Sequence, residues 1–176
     1  MTSTKEQIAS RLEQTFNSRG FAEPSVAELQ KAAGTTLRTL YRYFPSKEAM
    51  VIGALTYRHD RYFSFLAEHE PPAGKDSIIH LFDRLADWMK TYAPSGCLYL
   101  NALTAFPGNK DVRDATLQYK NELIQVMAKR SGYEGLAAEL FLLHEGVSAA
   151  WPVVGMQAIH SAVSIAEKII SRGSNE

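Results

Sequence analysis

Four cationic side chains and several hydroxyl groups cluster in one short stretch of this sequence. No acidic residue lies between Glu28 and Glu48, although that window contains the basic residues Lys31, Arg38, Arg42 and Lys47. Ammonium and guanidinium groups bind phosphate, and a guanidinium also pairs with the O6/N7 edge of guanine. Threonine and tyrosine hydroxyls in the same stretch can donate to a nucleic-acid backbone. These residue types therefore favour binding to DNA.

The spacing of capping residues predicts a short helix ahead of the basic residues. Ser25 precedes Glu28 by three positions, which predicts a capping box and a helix that begins near Val26. Gly34 can adopt the left-handed conformation that ends such a helix without a side-chain penalty. The sequence thus predicts a helix followed by a tight turn.

A second short helix follows the turn, because Thr35 or Thr36 can cap it and Pro45 prevents its continuation. At about 100° per residue, its two sides differ in polarity. The apolar side carries Leu37, Leu40 and Phe44, and the opposite side carries Arg38, Thr39 and Arg42. A solvated surface is the alternative interpretation of the two arginines. The cap, the glycine turn and the absence of acidic residues together favour a helix-turn-helix that reads DNA.

The run AAGTTLRTLYRYFPSKEAM closely resembles the signature of the tetracycline-repressor (TetR) family of bacterial transcription regulators. In that family a glycine turn precedes a recognition helix of the form TLYxYF, followed by SKE. The resemblance is specific over residues 8–51, roughly, and it implies a set of DNA-contacting residues, of which Ser25 and Lys47 hold phosphates. The set is Ser25, Thr36, Leu37, Arg38, Thr39, Tyr41, Arg42, Tyr43 and Lys47.

Three positions depart from the family pattern. Gln30 stands where a small alanine is usual, and Thr35 replaces a usual valine. We expect both changes to loosen the packing beneath the second helix. Arg38 occupies a position that is often glycine, which implies a change in the bases that are read.

Composition indicates an ordinary globular chain of 176 residues, with 45% hydrophobic and 22% charged residues and a net charge of zero. The single cysteine cannot form an intramolecular disulfide, which is typical of a reducing compartment. No apolar run approaches the roughly 20 residues that span a bilayer, and the N-terminus lacks the apolar core of a secretory signal. We therefore expect a cytoplasmic protein with no membrane partner.

Helical periodicity continues along the chain without any sustained alternation of period two, so we predict an all-α fold of about nine helices. A proline- and glycine-rich break at residues 70–74 separates the helices that follow from those before it. We expect an N-terminal three-helix helix-turn-helix DNA-binding domain at residues 1–46 and a connecting helix at 47–70. A helical ligand-binding and dimerisation domain is expected at 71–176.

The last two helices indicate a partner surface. Residues 134–151 are apolar around most of the helix circumference, and Pro152 can begin a final helix with one apolar stripe. A central core helix is one interpretation of the first of these. The other is a two-fold homodimer, as in TetR-like proteins, which implies a palindromic operator. The predicted interface residues are Leu142, Gly146, Ala149, Ala150, Ile159, Val163, Ala166 and Ile170.

Aromatic residues and methionines in the middle of the chain fit either an ordinary core or a ligand pocket. The family resemblance implies a pocket for a small-molecule inducer, apolar or aromatic, that releases DNA. The candidate pocket residues are Phe82, Met89, Cys97, Tyr119, Leu123 and His144, with His144 as the polar anchor. Cys97 is either a small buried hydrophobic residue or a redox-sensitive thiol at a helix start.

The sequence gives little support for an enzyme or for a cofactor. It contains no HExxH, no GxSxG and no phosphate-binding glycine loop. His80, Asp83 and Asp87 have helical spacing but lie opposite the apolar stripe, which favours a solvated surface over a metal site. The sequence therefore predicts a DNA-binding regulator, a repressor by family behaviour. The alternative is an all-α ligand-binding or catalytic domain with a vestigial helix-turn-helix.

Overall fold

The computed structural model describes residues 3–173, and within that range the fold is all-α with nine α-helices and no strand. This confirms the predicted fold class. The helices are α1 (Thr4–Arg19), α2 (Val26–Ala33), α3 (Leu37–Tyr43), α4 (Lys47–Ala67), α5 (Lys75–Tyr92), α6 (Leu98–Ala105), α7 (Lys110–Ser131), α8 (Ala137–Val154) and α9 (Met156–Gly173). A single 3-10 turn, Glu134–Leu136, precedes α8.

Most helix ends coincide with the local signals in the sequence. Helix α1 begins after Ser3, whose hydroxyl accepts a hydrogen bond from the Glu6 amide at 3.2 Å, and it ends at Gly20. The end of α8 is different, because α8 passes through Pro152 and the chain turns at Gly155, where φ is 53°. Proline in a last helical turn removes one backbone hydrogen bond, whereas a positive φ favours glycine. The prediction that Pro152 begins the final helix is therefore wrong.

The chain divides into two compact units. Among the described residues, the first unit contains residues 3–62 together with Leu98–Leu117, and the second contains Phe63–Cys97 together with residues 118–173. In the first unit α1 packs on α2 and α2 packs on α3. Its interior is formed by fully buried side chains from α1 to α4, among them Leu12, Phe16, Leu29, Leu40, Met50 and Leu55.

The second unit is built mainly from α5, α8 and α9. Helix α9 packs against both of the other helices. The apolar side predicted for α5 is buried, and α9 contributes a matching stripe. The buried residues are Ile78, Leu81, Phe82, Leu85 and Met89 from α5, and Ile159, Ala162, Ala166 and Ile170 from α9.

The division into residues 1–46, 47–70 and 71–176 concerns function rather than packing, and it stays a prediction.

Candidate nucleic-acid interface

The turn between α2 and α3 is held at its start by a complete capping box. The Ser25 hydroxyl accepts from the Glu28 amide at 3.3 Å, and the Glu28 carboxylate accepts from the Ser25 amide at 2.8 Å. Gly34 ends the helix in the left-handed conformation, with φ 61° and ψ 37°. The predicted helix, cap and turn are all confirmed.

Two side chains brace this turn. The Gln30 side-chain amide donates to the Thr35 carbonyl across the turn, and the Arg11 guanidinium donates to the Ala33 carbonyl at 2.8 Å. The arginine lies so close that a Cβ added to Gly34 would approach its Nη1 to 2.3 Å. We expected Gln30 to loosen the region, but its hydrogen bond joins α2 directly to the residue before the α3 cap.

Helix α3 begins with a threonine cap and rests on two buried side chains. Thr36 accepts from the Thr39 amide at 3.1 Å, which identifies Thr36, and not Thr35, as the N-cap. Leu40 and Phe44 are buried, as the helical projection predicts. Leu37, which the projection placed with them, is 47% exposed. Helix α3 is thus anchored by Leu40 and Phe44, and its N-terminal turn is exposed to solvent.

The exposed surface of α3 contains most of the predicted DNA contacts. Thr36, Leu37, Arg38, Tyr41 and Arg42 are exposed, and Thr39 and Tyr43 are half-buried. The Arg42 guanidinium lies 4.8 Å from the centre of the Tyr43 ring and donates to its hydroxyl at 3.2 Å. This stacking holds the charge of Arg42 beside a phenol. The two groups together form a donor pair suited to a phosphate.

The N-terminus of α4 contributes another cation. Ser46 accepts from the Ala49 amide at 3.1 Å and so caps α4, and the Lys47 ammonium donates to the Ala22 carbonyl at 3.3 Å. The backbone amide of Glu48, and then the Ser46 hydroxyl, lower the pKa of the Glu48 carboxyl. Lys47 is half-buried at a helix N-terminus, where free amides and the helix dipole favour an anion.

The predicted phosphate contact at Ser25 lies beside an acidic group. The Ser25 hydroxyl donates to the Glu28 carboxylate at 2.8 Å, and Arg19 bridges Glu28 and Glu23, each at 2.9 Å. The Ser25 amide, then its hydroxyl, and then Arg19 lower the pKa of Glu28 to about 2. Ser25 therefore already has a full set of partners, and a phosphate bond from its hydroxyl would replace one of them.

A buried ion pair joins α1 to α4 and was missed from the sequence. Glu13 and Arg58 are each 2% exposed and form a salt bridge, which Arg61 extends at 3.6 Å and Asn17 at 3.3 Å. Glu13 lies on the same side of α1 as the apolar residues of its stripe, and this was the signal available in the sequence. Its partner is 45 positions away and cannot be identified from helical periodicity.

The candidate pocket residues all belong to the second unit, and all except the half-buried Cys97 are buried. Sequence reasoning missed Lys120 and Glu145, whose charged groups lie 2.7 Å apart. His144 Nδ1 lies 3.1 Å from the Glu145 carboxylate, and Lys120 Nζ lies 3.5 Å from Cys97 Sγ. Burial lowers the pKa of His144, although its bond to Glu145 opposes the shift.

The predicted interface residues fall into two groups. Ile159, Ala166 and Ile170 are buried within the single chain, because α9 uses them to pack against α5 and α8. They can support a partner-facing surface but do not form it. Leu142, Gly146 and Ala149 are exposed on α8, and Ala150 and Val163 are half-buried. Leu142 is 67% exposed, and Val153, two turns beyond Gly146, is 85% exposed.

Other classes of site find no support in the part of the chain that is described. No helix among residues 3–173 is long and apolar enough to span a membrane. In the same range no three histidine, cysteine or acidic side chains come together as metal ligands do.

The comparisons with known proteins point to one family. Residues 6–54 match the family described as bacterial regulatory proteins, tetR family. An uncharacterized HTH-type transcriptional regulator of Bacillus subtilis, YuxN, is 26% identical over 144 residues, which cover 76% of this chain and 48% of that protein. The chain thus spans about half the length of this curated relative.

Solved structures show the same fold. A TetR-family transcriptional regulator from Streptomyces coelicolor superposes with a TM-score of 0.84 at 17% identity, covering 96% of this chain and 95% of that one. A TetR regulator from Haloarcula marismortui gives 0.79 at 13% identity, covering 98% of both chains. These matches are to transcriptional regulators and not to enzymes. Residues 6–54 are thus similar to the bacterial regulatory proteins of the tetR family, and the chain as a whole has the all-α fold of solved regulators of that family.

Proposed function

We propose that the chain is a sequence-specific DNA-binding transcriptional repressor that acts in the cytoplasm and binds a palindromic operator as a homodimer. A small-molecule inducer releases it. The observation that carries this proposal is the surface of α3, where Leu37, Arg38, Tyr41 and Arg42 are exposed above the buried Leu40. We assign DNA binding to residues 1–46, the connection to 47–70, and ligand binding and dimerisation to 71–176.

The DNA contacts divide by chemistry. Lys47 at the N-terminus of α4 and the stacked Arg42 and Tyr43 suit phosphates, whereas the exposed N-terminal turn of α3 suits base edges. The charge of the whole chain is zero, so attraction to DNA depends on this local cluster.

Removal of Arg42 should weaken DNA binding and reduce its salt dependence. With Arg42→Ala, the slope of log affinity against log salt should become shallower by about one per protomer, because one phosphate contact is lost. Tyr41→Phe should weaken binding without changing the slope, because no charge is lost. Fluorescence anisotropy with a DNA site selected from a random pool measures both quantities.

Arg113→Ala is the matched control, since Arg113 is an exposed arginine on α7 whose side chain retains 59% of its accessible surface. Its affinity and salt slope should equal those of the wild type. Equal salt slopes for Arg42→Ala and the wild type would contradict the assignment of Arg42 to a phosphate.

The exposed stripe on α8 supports a homodimer. Leu142, Gly146, Ala149 and Val153 recur at helical spacing and are all exposed, although all four are apolar or small enough for close helix contact. Ile165 on α9 is also 44% exposed. A two-fold dimer through this stripe would cover these side chains with their copies in a second chain.

Replacement of Leu142 by aspartate should dissociate this dimer. We expect self-association to weaken by roughly 100-fold or more, because each interface would bury two carboxylates without partners. Analytical ultracentrifugation at micromolar concentration measures the effect. Leu117→Asp is the control, because Leu117 is 53% exposed on α7 and lies outside the stripe. A wild-type monomer at this concentration would disprove the dimer.

The inducer site is assigned to a partly buried group of polar side chains in the second unit. Lys120, Glu145 and His144 belong to the same unit as the apolar candidates, and Lys120 Nζ lies 3.5 Å from Cys97 Sγ. Pockets that bind small molecules combine an apolar lining with a few polar anchors of this kind. An inducer with an apolar or aromatic body fits this combination, with His144 as its anchor. Release of DNA requires a coupling free energy of about 1–3 kcal/mol between the two sites.

A further inference from the structure

The first turn of α3 exposes two neighbouring side chains of different chemistry. Leu37 is the first residue of the helix and is 47% exposed, and Arg38 beside it is exposed. Within residues 3–173 the Arg38 guanidinium has no hydrogen bond, ion pair or ring contact. The cation is thus free to bind a partner outside the chain.

Arg42 on α3 and the two threonines at its N-terminus already have partners. The Arg42 guanidinium stacks on Tyr43 and bonds to its hydroxyl. The hydroxyls of Thr36 and Thr39 lie 3.0 Å apart in the N-cap of the helix. Each of these groups is already held by an interaction within the chain, whereas Arg38 is held by none.

Other arginines of the first unit also have partners within the chain. Arg11 binds the Ala33 carbonyl, Arg19 binds two glutamates, and Arg58 lies in the buried ion pair. Among the arginines from residue 3 to residue 46, Arg38 is therefore the one whose five donors are all available. A reader of base edges needs this freedom, because paired hydrogen bonds to guanine use two donors of one guanidinium.

Position within the helix supports the same role. In helix-turn-helix proteins the N-terminal residues of the second helix contact base edges in the major groove. Arg38 and Leu37 occupy that turn, on a helix whose cap and turn are braced by Thr36 and Gln30. A guanidinium selects guanine, and an apolar side chain beside it contacts the methyl group of thymine.

We propose that Arg38 is the main determinant of operator sequence and reads a guanine, while Leu37 contacts a thymine methyl in the same half-site. Arg42 holds a phosphate and contributes affinity without sequence preference. This inference rests on the proposed function, because it requires that α3 enters the major groove.

Selection from a random pool of double-stranded DNA tests the inference with the full chain and four single variants. The wild type should enrich a half-site that contains a G·C pair, and Arg38→Ala should lose roughly 5- to 150-fold of the discrimination at that pair. Arg38→Gln should shift the preference there toward adenine, since a glutamine amide pairs with adenine N6 and N7. Leu37→Ala should relax the preference for one thymine, and Arg42→Ala should keep the wild-type sequence with lower affinity.

Two results would overturn the inference, and they are distinguishable from each other. If Arg38→Ala and Arg38→Gln both enrich the wild-type site with unchanged preference, Arg38 does not read a base, although the proposed function survives. If the wild type enriches no sequence, the proposed function fails and the inference fails with it. Equal circular dichroism of all five proteins ensures that a change in preference is not a loss of fold.

Discussion

Replacement of Arg58 by methionine should lower the free energy of unfolding by about 3–5 kcal/mol. Arg58 and Glu13 are each 2% exposed, and the substitution would leave the Glu13 carboxylate buried without its main partner. Arg61, at 3.6 Å, offsets only part of the loss. Urea unfolding at neutral pH, followed by circular dichroism, measures the change. Because the pair joins α1 to α4, DNA affinity should fall as well.

Two controls distinguish the effect of an unpaired buried charge on stability from the effect of lost side-chain packing. The double variant Glu13→Leu/Arg58→Met removes both charges and should lie much closer to the wild type, because apolar replacements of buried ion pairs are often neutral or stabilising. Lys110→Met breaks an exposed ion pair with Asp114 and should leave the free energy of unfolding nearly unchanged, because solvent screens such a pair. An Arg58→Met protein within about 1 kcal/mol of the wild type would show that the pair is not a main contact between α1 and α4.

Substitution of Gly53 by alanine should destabilise the chain by about 1–3 kcal/mol and weaken DNA binding, although the same change inside most helices is stabilising. A Cβ at Gly53 would lie 2.2 Å from one carbon of the Phe44 ring and 2.9 Å from two others. Phe44 is buried directly after α3, so its ring cannot move into solvent. The backbone of α3 must move instead, and this displaces the surface that we propose contacts DNA.

Replacement of Phe44 by a smaller side chain tests this explanation. In the double variant Gly53→Ala/Phe44→Leu the shorter side chain leaves room for the new methyl group, so the two changes should be less damaging together than their sum. Thermal unfolding and anisotropy with the selected DNA provide the two readouts. A Gly53→Ala protein that is as stable as the wild type, with equal DNA affinity, would contradict the predicted clash.

The sequence predicted the parts of the site that depend on neighbours within a few residues. Ser25, Glu28, Gly34 and Pro45 act through caps and turns, whose hydrogen bonds span three or four positions. Helical periodicity also identified Leu40 as a buried residue. These signals are local, and so they can be recognised before the fold is known.

Features that depend on distant partners were not predictable in the same way. Periodicity placed Ile159, Ala166 and Ile170 on one apolar stripe, which we predicted to face a second copy, whereas all three are buried within the single chain. The bond between Glu13 and Arg58 joins residues far apart in sequence. Both require knowledge of which helices are neighbours.

Gln30 illustrates another limit of prediction from the sequence. Judged by its size against the family pattern, this residue was expected to disturb the packing under α3. Its amide instead donates to the Thr35 carbonyl, which brings a polar group into the turn together with its partner. A side chain that departs from a pattern can thus stabilise the same geometry through another interaction.

Selection of DNA by the wild-type chain at low salt tests the central claim most directly. If α3 reads the major groove in a two-fold dimer, the chain should enrich an inverted repeat from a random double-stranded pool. Its half-sites should lie about 10 base pairs apart, or a multiple of that distance, as the geometry of two such helices requires. If no sequence is enriched after several rounds of selection, α3 does not read the major groove.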